Sequence, residues 1–463
     1  MSDAESPAIE TIAAISTPPG RGGIGIVRLS GPLALSIVEE LVVLRHPPEH
    51  AHARLADVLD GAEAGGARID EAMVTWFAAP HSYTAEDVVE IAAHGSPVIL
   101  ELLLQRAIAL GARLAEPGEF TQRAFLAGRL DLTQAEAVRD LIEAQTLTQA
   151  RQAASQMGGA LSRRVLPVKQ ALVELIALLE AGIDFAEDDV DVTPREEIAR
   201  RIGEISAPLA ALEASFARGH VVHDGLTLAI VGRPNVGKSS LFNRLVQRDR
   251  AIVTCMPGTT RDLVTERISL EGIPLELVDT AGLREACEEV EQLGIARSRE
   301  ALADAALVLI VLDATQPLNE EERGLLAAVE GRPAMVAINK SDLAAPDAVQ
   351  SDFSAVESAG RVAIATSALT GEGIIALREQ ILALATGGAA AEPGMLTSLR
   401  HQQAVATARA ALNDAAQANA GGIPHEMILL DLYRGLWALD SLTGQTTPDD
   451  ILGLIFSTFC IGK

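Results

Sequence analysis

The sequence predicts a multidomain protein with an α+β segment, an all-α region after it, and an α/β domain inserted into that all-α region. Three patterns in the 463 residues predict this order. Short β-like runs mix with helical stretches at first, apolar residues then recur at helical spacing, and apolar runs finally alternate with amphipathic segments. The last part is helical again, which indicates an insertion at a loop. The predicted segments are 1–127, 128–219, 220–387 and 388–463.

The first segment contains both kinds of element. Ile24–Leu29 and Val88–Ala92 are strand candidates, and Pro32–Leu44 and Pro97–Leu110 are helix candidates. The all-α region shows a helical apolar stripe at Leu172, Leu175, Ile176 and Leu179. The α/β domain has five strand candidates, whose alternation with helices predicts a mostly parallel sheet. They are Leu226–Val231, Leu275–Val278, Leu307–Leu312, Met335–Ile338 and Val362–Ala365.

Charge and cysteine content limit the function classes. The chain has 37 Lys and Arg against 63 Asp and Glu, so its net charge is −26. Because a broad nucleic-acid surface is normally basic, a nucleic-acid partner would need a local patch or a second protein. Cys255, Cys287 and Cys460 are too scattered for a disulfide framework. No signal peptide or membrane-spanning run is present, so we expect a cytoplasmic protein that does not cross a membrane.

A phosphate-binding loop follows the first strand of the α/β domain. The stretch AIVGRPNVGKSS contains Gly232 and Gly237, which allow backbone N–H groups to wrap a phosphate. Lys238 is expected to reach the β- and γ-phosphates, and Ser239 to bind Mg²⁺. A chance match in a glycine-rich turn is the alternative, but a strand precedes this loop and a helix follows it.

Three further motifs follow in order. DTAG places Asp279 near Mg²⁺ and the Gly282 N–H near the γ-phosphate. NKSD places Asp342 to accept from the N1–H and N2–H₂ groups of guanine, a donor pattern that adenine lacks. TSALTGEG places a backbone N–H of Ser367 or Ala368 near guanine O6. Each motif alone is weak, but the four together predict a GTP-binding domain.

The residue that orients the attacking water is not evident from the motifs. In Ras-like proteins a glutamine follows the DxxG glycine, whereas this chain has Leu283, which cannot hydrogen-bond water. Either the domain is a slow switch, or a polar residue elsewhere acts instead. The nearby candidates are Glu285, Glu288, Glu289 and Glu291. Such glutamates are more often the solvated face of a helix.

Cation ligands are expected between and within these motifs. Thr260 or Thr259 in PGTTRD can bind Mg²⁺ and close over the γ-phosphate. Asn235 can hold a monovalent cation against the phosphates in place of an arginine finger. Its alternative role is that of a turn residue.

A glycine cluster near the N-terminus imitates a dinucleotide motif. Gly20 to Gly25 fits G-x-G-x-x-G, but IGIVRLSG follows and alternates like a strand instead of opening a helix. We therefore interpret the cluster as a tight turn that brings Arg28 into a pocket.

The whole chain closely resembles the tRNA-modification GTPases called MnmE or TrmE. The resemblance rests on TPPGRGGIGIVRLSG, YTAEDVVEIAAHG, PGEFTQRAFLAGRLDLTQAEAV, EAGIDFAED, GRPNVGKSS, PGTTRD, DTAGLRE and the terminal FCIGK. Other GTPases share the central motifs but neither the first 150 residues nor this C-terminus.

The resemblance implies a folate-binding-like, dimer-forming N-terminal domain. A reduced folate, 5-formyl-tetrahydrofolate in the family, would contact Arg28, Glu90, Arg129 and Lys463. Arg129 stands where some members have Lys, which keeps the charge but changes the geometry. The C-terminal tail would reach the folate pocket, with Cys460 near the one-carbon unit. Cys460 would be a reactive thiol or a small buried hydrophobic residue.

For the Ras-like G domain, the resemblance implies K⁺-dependent dimerisation across the nucleotide faces. Asn235, Thr254, Met256 and Thr259 would bind K⁺, and Glu291 would orient the water. Lys238, Thr260 and Glu291 are therefore the predicted catalytic residues. The predicted GTP contacts are Asn235, Val236, Gly237, Lys238, Ser239, Ser240, Thr254, Thr259, Thr260, Asp279, Thr280, Ala281, Gly282, Asn339, Lys340, Asp342, Ser367 and Ala368.

The resemblance also implies partners. The family works with the FAD-containing protein MnmG, which would form a heterotetramer with the homodimer, to install an aminomethyl-type group at C5 of the wobble uridine of tRNA. Two rival functions are a ribosome-assembly GTPase and a non-catalytic nucleotide switch. The first would need a basic RNA-binding module, and no GXXG loop in a basic setting is present. Leu283 fits the second.

Overall fold

The protein is described here by a computed structural model. The structure describes residues 10–60, 67–184, 193–246, 265–279, 305–344, 354, 356, 360–388, 392–445, 452 and 455–462. The chain forms two compact units, of which unit 1 comprises Met1–Arg139 with Asp440–Lys463 and unit 2 comprises Asp140–Leu439. The three boundaries between the four segments predicted from sequence follow changes of secondary structure, and they stay a prediction.

Unit 1 is built on a seven-stranded sheet in the order β3-β4-β5-β6-β2-β1-β7. Only β1 and β7 pair in parallel. The strands are β1 Ile12–Ile15, β2 Gly22–Ser30, β3 Val42–Leu44, β4 Ala53–Leu59, β5 Arg68–Phe77, β6 Val88–Gly95 and β7 Arg113–Leu114. The helices of this part are α1 Ala34–Leu41, α2 Pro97–Ala109 and α3 Glu119–Leu126. This is the predicted α+β class.

The alternation of β2 decides which side chains reach the core. Val27 and Leu29 are fully buried, together with apolar residues of α1 and α2 such as Leu103. Since successive side chains of a strand point to opposite faces, Arg28 lies on the other face. Its direct partner across the strand pair is Glu90 of β6. The predicted strands Ile24–Leu29 and Val88–Ala92 are thereby confirmed.

One element of this segment was predicted wrongly. The helix predicted over Pro32–Leu44 ends at Leu41, and Val42–Leu44 forms β3. Val42 is extended and pairs with Val58 of β4. A three-residue apolar run fits either a helix end or a strand, and only the neighbouring strand decides between them.

The helical part begins with α4 Leu132–Glu143, α5 Leu147–Met157, α6 Ala160–Asp184, α7 Arg195–Ala214 and α8 Phe216–Asp224. A capping box starts α5: Thr146 Oγ1 accepts from the Gln149 N–H, and the Gln149 side chain accepts from the Thr146 N–H. The predicted stripe of leucine and isoleucine side chains on α6 is buried, with Leu172, Leu175 and Leu179 at 0% exposure.

The inserted α/β domain has a six-stranded sheet in the order β13-β12-β11-β8-β10-β9. Its strands are β8 Leu226–Val231, β9 Thr265–Leu270, β10 Ile273–Asp279, β11 Leu307–Asp313, β12 Ala334–Asn339 and β13 Val362–Ala365. Its helices are α9 Lys238–Val246, α10 Glu320–Ala328 and α11 Ile374–Thr386. All five predicted strands are confirmed. The antiparallel edge strand β9 was not predicted.

The five parallel strands of this sheet end at one edge. The phosphate loop follows β8, and Asp279 closes β10 beside Ile230 of β8. Asp313 closes β11 beside Asn339 of β12. Ligands of open α/β sheets bind at the carboxyl ends of the strands, so this edge is where a site is expected.

Two long helices follow the α/β domain, α12 Leu399–Ala420 and α13 His425–Thr443. Among the helices that the structure describes, none combines the length and apolar character needed to cross a bilayer.

The C-terminal segment of unit 1 is anchored by aromatic side chains. Phe456 and Phe459 are buried in a cluster with Leu132. Gly118, at φ +69°, lies so close that a Cβ there would approach the Phe456 carbonyl oxygen to 2.6 Å. The end of the chain is therefore packed instead of frayed.

Within unit 2, a half-buried histidine ties α4 to the segment that enters the α/β domain. His223 Nε2 lies 3.1 Å from Asp140 of α4, and its Nδ1 contacts Asp224. Hydrogen bonds to Asp140 and Asp224 raise the pKa of His223 to about 10, although burial opposes the rise. His223 borders a cavity of about 230 Å³ that also touches the starts of β8 and β10.

Replacing Phe456 with Ala should destabilise unit 1. Loss of a buried phenyl ring costs about 3–5 kcal/mol of unfolding free energy. Trp76 in unit 1 reports this change by fluorescence during urea unfolding, in a background where Trp437 is replaced by Phe. Leu126→Ala, at a site that is 67% exposed in the same unit, is the control and should change little. An equal effect of both substitutions would contradict the anchoring role.

Replacing His223 with Gln should reduce stability in a pH-dependent way. The folded pKa of about 10 lies above the ordinary value of 6.5. The stabilisation is therefore fully present below about pH 6.5 and is lost as the pH rises towards 10. Thermal unfolding at pH 6, 8 and 10 measures it, with exposed His46→Gln as the control. A difference that does not shrink with rising pH would rule out a proton held by the two aspartates.

Candidate functional site

The phosphate loop takes backbone conformations that favour glycine. Gly232 has φ +150°, Asn235 has φ +64° and Gly237 has φ +97°. A Cβ on Gly237 would lie 2.3 Å from Asn339 Nδ2, and one on Gly232 would lie 2.3 Å from the Val311 carbonyl oxygen. Only glycine fits at these two points, and the resulting cradle has the form that a phosphate needs.

The predicted phosphate and Mg²⁺ ligands lie at the start of α9. Lys238 is 7% exposed, and its Nζ donates to the carbonyl oxygens of Gly232 at 2.8 Å and Arg233 at 2.6 Å. Ser239 and Ser240 are exposed on the first turn of the same helix. The helix N-terminus adds a favourable field for an anion at this position.

A salt bridge that the motifs do not reveal holds the loop from outside. Arg233 Nε donates to Glu322 Oε1 at 2.7 Å, and Glu322 is 1% exposed. Glu322 also belongs to the capping box that Asn319 forms at the start of α10. The N-x-x-E spacing before a helix marks the cap in sequence, but nothing in it indicates Arg233 as the partner.

The base side of the site is joined to the phosphate side by one amide. Asn339 Nδ2 donates to the Val236 carbonyl oxygen at 2.9 Å, and Asn339 Oδ1 accepts from the Ala368 N–H at 3.0 Å. Asn339 is 1% exposed and Ser367 is fully buried. The structure therefore brings NKSD, TSALTGEG and the phosphate loop together.

Lys340 is held by an aspartate that sequence reasoning missed. Lys340 Nζ lies 2.6 Å from Asp313 Oδ2, and Lys340 itself has φ +63°. Burial alone would raise the pKa of Asp313, but hydrogen bonds from Lys340 and Thr315 hold it below its usual range. Asp342 lies two residues further on, in an exposed turn.

Several predicted site residues lie outside the described residues. They are Thr254, Met256, Thr259, Thr260, Thr280, Ala281, Gly282, Glu291 and Lys463, together with the side chain of Asp279. Three of the four predicted K⁺ ligands, both catalytic residues other than Lys238, and one predicted folate contact belong to this set.

A second candidate site lies in unit 1 around Arg28. Arg28 Nε is 2.9 Å and its Nη2 2.7 Å from Glu90 Oε1, so two of the predicted folate contacts form an ion pair with each other. The guanidinium carbon is 5.8 Å from the ring centre of Tyr83 and 5.6 Å from that of Phe120. Cation–π attraction and the carboxylate fix the guanidinium in a partly buried place.

Arg129 carries its charge towards the same place. Burial raises the pKa of Tyr83 above its usual range, and the Thr121 hydrogen bond and the charges of Arg28 and Arg129 oppose this rise. Both predicted arginines therefore act on one phenol. Tyr83 and Phe120 were not predicted, because YTAEDV and GEFTQ show nothing that sets these rings apart from core residues.

The C-terminal tail reaches this site. The Gly462 carbonyl oxygen accepts from Arg28 Nη1 at 3.3 Å and from Ser16 Oγ at 3.1 Å. Gly462 has φ +90°, and a Cβ there would lie 2.8 Å from the Ile15 carbonyl oxygen. Cys460 is exposed, and its carbonyl oxygen accepts from the Gly118 N–H at 3.4 Å.

The chain matches two family models and is similar to known proteins over almost its full length. The family model "MnmE helical domain" matches residues 132–460, and "GTP-binding protein TrmE N-terminus" matches residues 11–129. A "tRNA modification GTPase MnmE" of Koribacter versatilis is 56% identical over 98% of this chain and 99% of its own. Proteins of the same name from Symbiobacterium thermophilum and Nitrosomonas europaea are each 43% identical over 98% of this chain and 99% of theirs. The chain belongs to the MnmE family of tRNA modification GTPases.

Proposed function

We propose that this chain is the GTP-hydrolysing subunit of a complex that adds an aminomethyl-type group at C5 of the wobble uridine of tRNA, with a reduced folate as the one-carbon source. The observation that carries the GTPase part is the Asn339 amide, which joins the phosphate loop to the base loop. The observation that carries the folate part is the contact of the tail with the Arg28–Glu90 pair.

Binding of the triphosphate uses the cradle at the end of β8. The backbone N–H groups from Asn235 to Gly237 face the phosphates, and Lys238 reaches the β- and γ-phosphates after leaving its carbonyl partners. Ser239, exposed at the helix start, and Thr260 would hold Mg²⁺, with Asp279 acting through water. Mg²⁺ and K⁺, when bound, neutralise the charge that builds up on the phosphates.

Base selection uses the loops that follow β12 and β13. The Asp342 carboxylate, exposed in its turn, accepts from the N1–H and N2–H₂ groups of guanine. Lys340 stacks along the base while Asp313 holds its ammonium group. The loop that begins at Ser367 and Ala368 supplies a backbone N–H that donates to guanine O6. Adenine has an acceptor at N1 and a donor at position 6, so it leaves the Asp342 carboxylate and the backbone N–H without their partners.

Hydrolysis depends on K⁺ and on a water-orienting glutamate. Asn235 stands at the tip of the phosphate loop with its side chain exposed, which suits a K⁺ ligand. Thr254, Met256 through its carbonyl, and Thr259 would complete the K⁺ site. Leu283 cannot orient water, and the resemblance to the MnmE family assigns this role to Glu291.

Hydrolysis of GTP should be faster in KCl than in NaCl, and Asn235→Ala should remove that difference. Since the cation takes the place of an arginine finger, worth roughly 10³–10⁵ in rate, we expect a loss of at least about tenfold in KCl. Turnover by the intact protein in both salts measures this, with exposed Asn413→Ala as a matched control.

Two results would count against this role. An unchanged ratio of rates in KCl and NaCl for Asn235→Ala would remove it from the K⁺ site. No turnover in either salt, with GTP bound, would favour the non-catalytic switch.

The folate pocket uses the other unit. Arg28, Glu90, Arg129 and Lys463 would bind 5-formyl-tetrahydrofolate, whose carboxylates and pterin ring suit guanidinium groups and a carboxylate. Bound folate supplies the one-carbon unit. The exposed thiol of Cys460 lies on the tail segment that closes over Arg28.

Calorimetry with 5-formyl-tetrahydrofolate tests the pocket. The intact protein should bind it, and a chain lacking Cys460–Lys463 should bind it at least about tenfold more weakly, because the tail completes the site. Arg28→Ala should weaken binding in the same way. Arg45→Ala, at another ion-paired arginine of unit 1, is the matched control. Absence of binding to the intact, dimeric protein would rule out the folate assignment.

The partners follow from charge and family. We propose a homodimer, closed by K⁺-dependent contact of the G domains, in a heterotetramer with the FAD-containing MnmG in the cytoplasm. With a net charge of −26, this chain repels phosphate backbones at long range. A second protein that supplies the basic surface would bring the tRNA.

A further inference from the structure

The last turn of α9 carries an arginine that belongs to none of the four motifs. Arg244 Nε donates to the Ala368 carbonyl oxygen at 2.7 Å, and its Nη2 donates to the Leu369 carbonyl oxygen. One planar guanidinium thus holds two successive peptide groups of the base loop. Such a fork is pre-organised, so little freedom is lost for each bond.

The helix makes this contact a rigid link. Lys238 begins α9 and Arg244 lies six residues further on, about 9 Å along the axis. The residue that reaches the phosphates and the residue that holds the base loop are therefore parts of one helix. Asn339 joins the same two loops by a second and independent route.

The base loop needs such support because it is open to solvent. Leu369 is 75% exposed, and Gly371 and Gly373 follow at φ +88° and φ +73°. Within the loop, Ser367 accepts from the Gly371 N–H at 2.8 Å. That bond fixes the start of the loop, while Arg244 fixes its middle.

Because the peptide group is planar, this support also fixes the direction of the neighbouring N–H. The Ala368 carbonyl and the Leu369 N–H belong to one planar trans peptide and point in opposite directions. A carbonyl held against Arg244 therefore sends the Leu369 N–H away from α9. The Ala368 N–H already donates to Asn339, whereas the Leu369 N–H has no acceptor within the part of the chain that the structure describes.

We propose that Arg244 is a positioning residue for base selection, which aims the Leu369 N–H at the 6-oxygen of a bound guanine. The proposal rests on the proposed function of this domain as a guanine-nucleotide site. It names the donor that reads position 6 of the purine and the residue that directs it. Asp342 reads positions 1 and 2 separately.

Nucleotide analogues separate the recognition of purine position 6 from the recognition of position 2. The diphosphate of 2,6-diaminopurine riboside replaces the 6-oxygen with an amino group and loses the N1–H, while it keeps the 2-amino group. Since the loss of the N1–H is the same for every variant, a change of preference between variants reports on position 6. Inosine diphosphate keeps the 6-oxygen and lacks the 2-amino group. Affinities of the full-length protein for GDP, ADP and both analogues are measured by calorimetry, for the unmodified chain and for Arg244→Ala and Arg244→Lys.

In Arg244→Ala, the preference for GDP over the diaminopurine analogue should fall about tenfold, the size of one hydrogen bond. The preference for GDP over inosine diphosphate should not change. Arg244→Lys keeps one donor group, so its preference for GDP over the diaminopurine analogue should lie between those of the unmodified chain and Arg244→Ala. Arg361→Ala is the matched control. Arg361 also donates to two backbone carbonyls, those of Arg332 and Val329, but it lies at the amino-terminal end of β13, away from the base loop.

Equal weakening for all nucleotides, or an unchanged preference for GDP over the diaminopurine analogue, would overturn the proposal and leave Arg244 as a purely structural residue. If circular dichroism shows that Arg244→Ala does not fold, the same comparison with Arg244→Lys decides. If the unmodified chain binds GDP no better than ADP, the guanine site itself fails, which is a different result.

Discussion

The site of unit 2 depends on the carboxamide of Asn339. It sits almost fully buried between two loops and satisfies the Val236 carbonyl on one side and the Ala368 N–H on the other. Without it, both backbone groups would lose their partner, at about 1–3 kcal/mol each. The amide fits only because Gly237 has no side chain. Phosphate binding and base binding are in this way made into one cooperative site.

Charged side chains around this amide form hydrogen bonds with backbone carbonyls instead of ion pairs with one another. Lys238 and Arg244 donate to carbonyl oxygens of the phosphate loop and of the base loop, both from α9. Arg233 and Lys340 are the exceptions, since each is paired with a buried carboxylate. Loops held in this way are pre-organised for a charged ligand, although Lys238 would have to leave its carbonyl partners to reach the phosphates.

In unit 1, packing and a hydrogen bond to a backbone carbonyl likewise hold the C-terminal segment in place. Phe456 supplies the apolar anchor, and the Gly462 carbonyl supplies the polar contact with Arg28. The conformation of Gly462 leaves no room for a side chain beside Ile15. The C-terminal segment can thus reach Arg28 on β2.

Much of the organisation could be predicted from sequence. All five parallel strands of the inserted domain and the three fold classes are as expected. Motif residues are found in this way because glycine, lysine and aspartate at fixed spacings have few other uses. The secondary structure of a short apolar run is not predicted in this way. Val42–Leu44 forms a strand because it pairs with β4, and its own sequence does not decide this.

The sequence by itself determined the order of the elements, the motifs of the predicted nucleotide site and the family to which the chain belongs, since these depend on local spacing. Only the tertiary structure decided which residues hold those sites in shape. Ser16 and Gly462 are 446 positions apart, and Arg244 and Ala368 are 124 apart. No periodicity links such pairs. Almost any residue can supply the backbone carbonyl that accepts a hydrogen bond, so the bond leaves no mark on the sequence of the accepting residue.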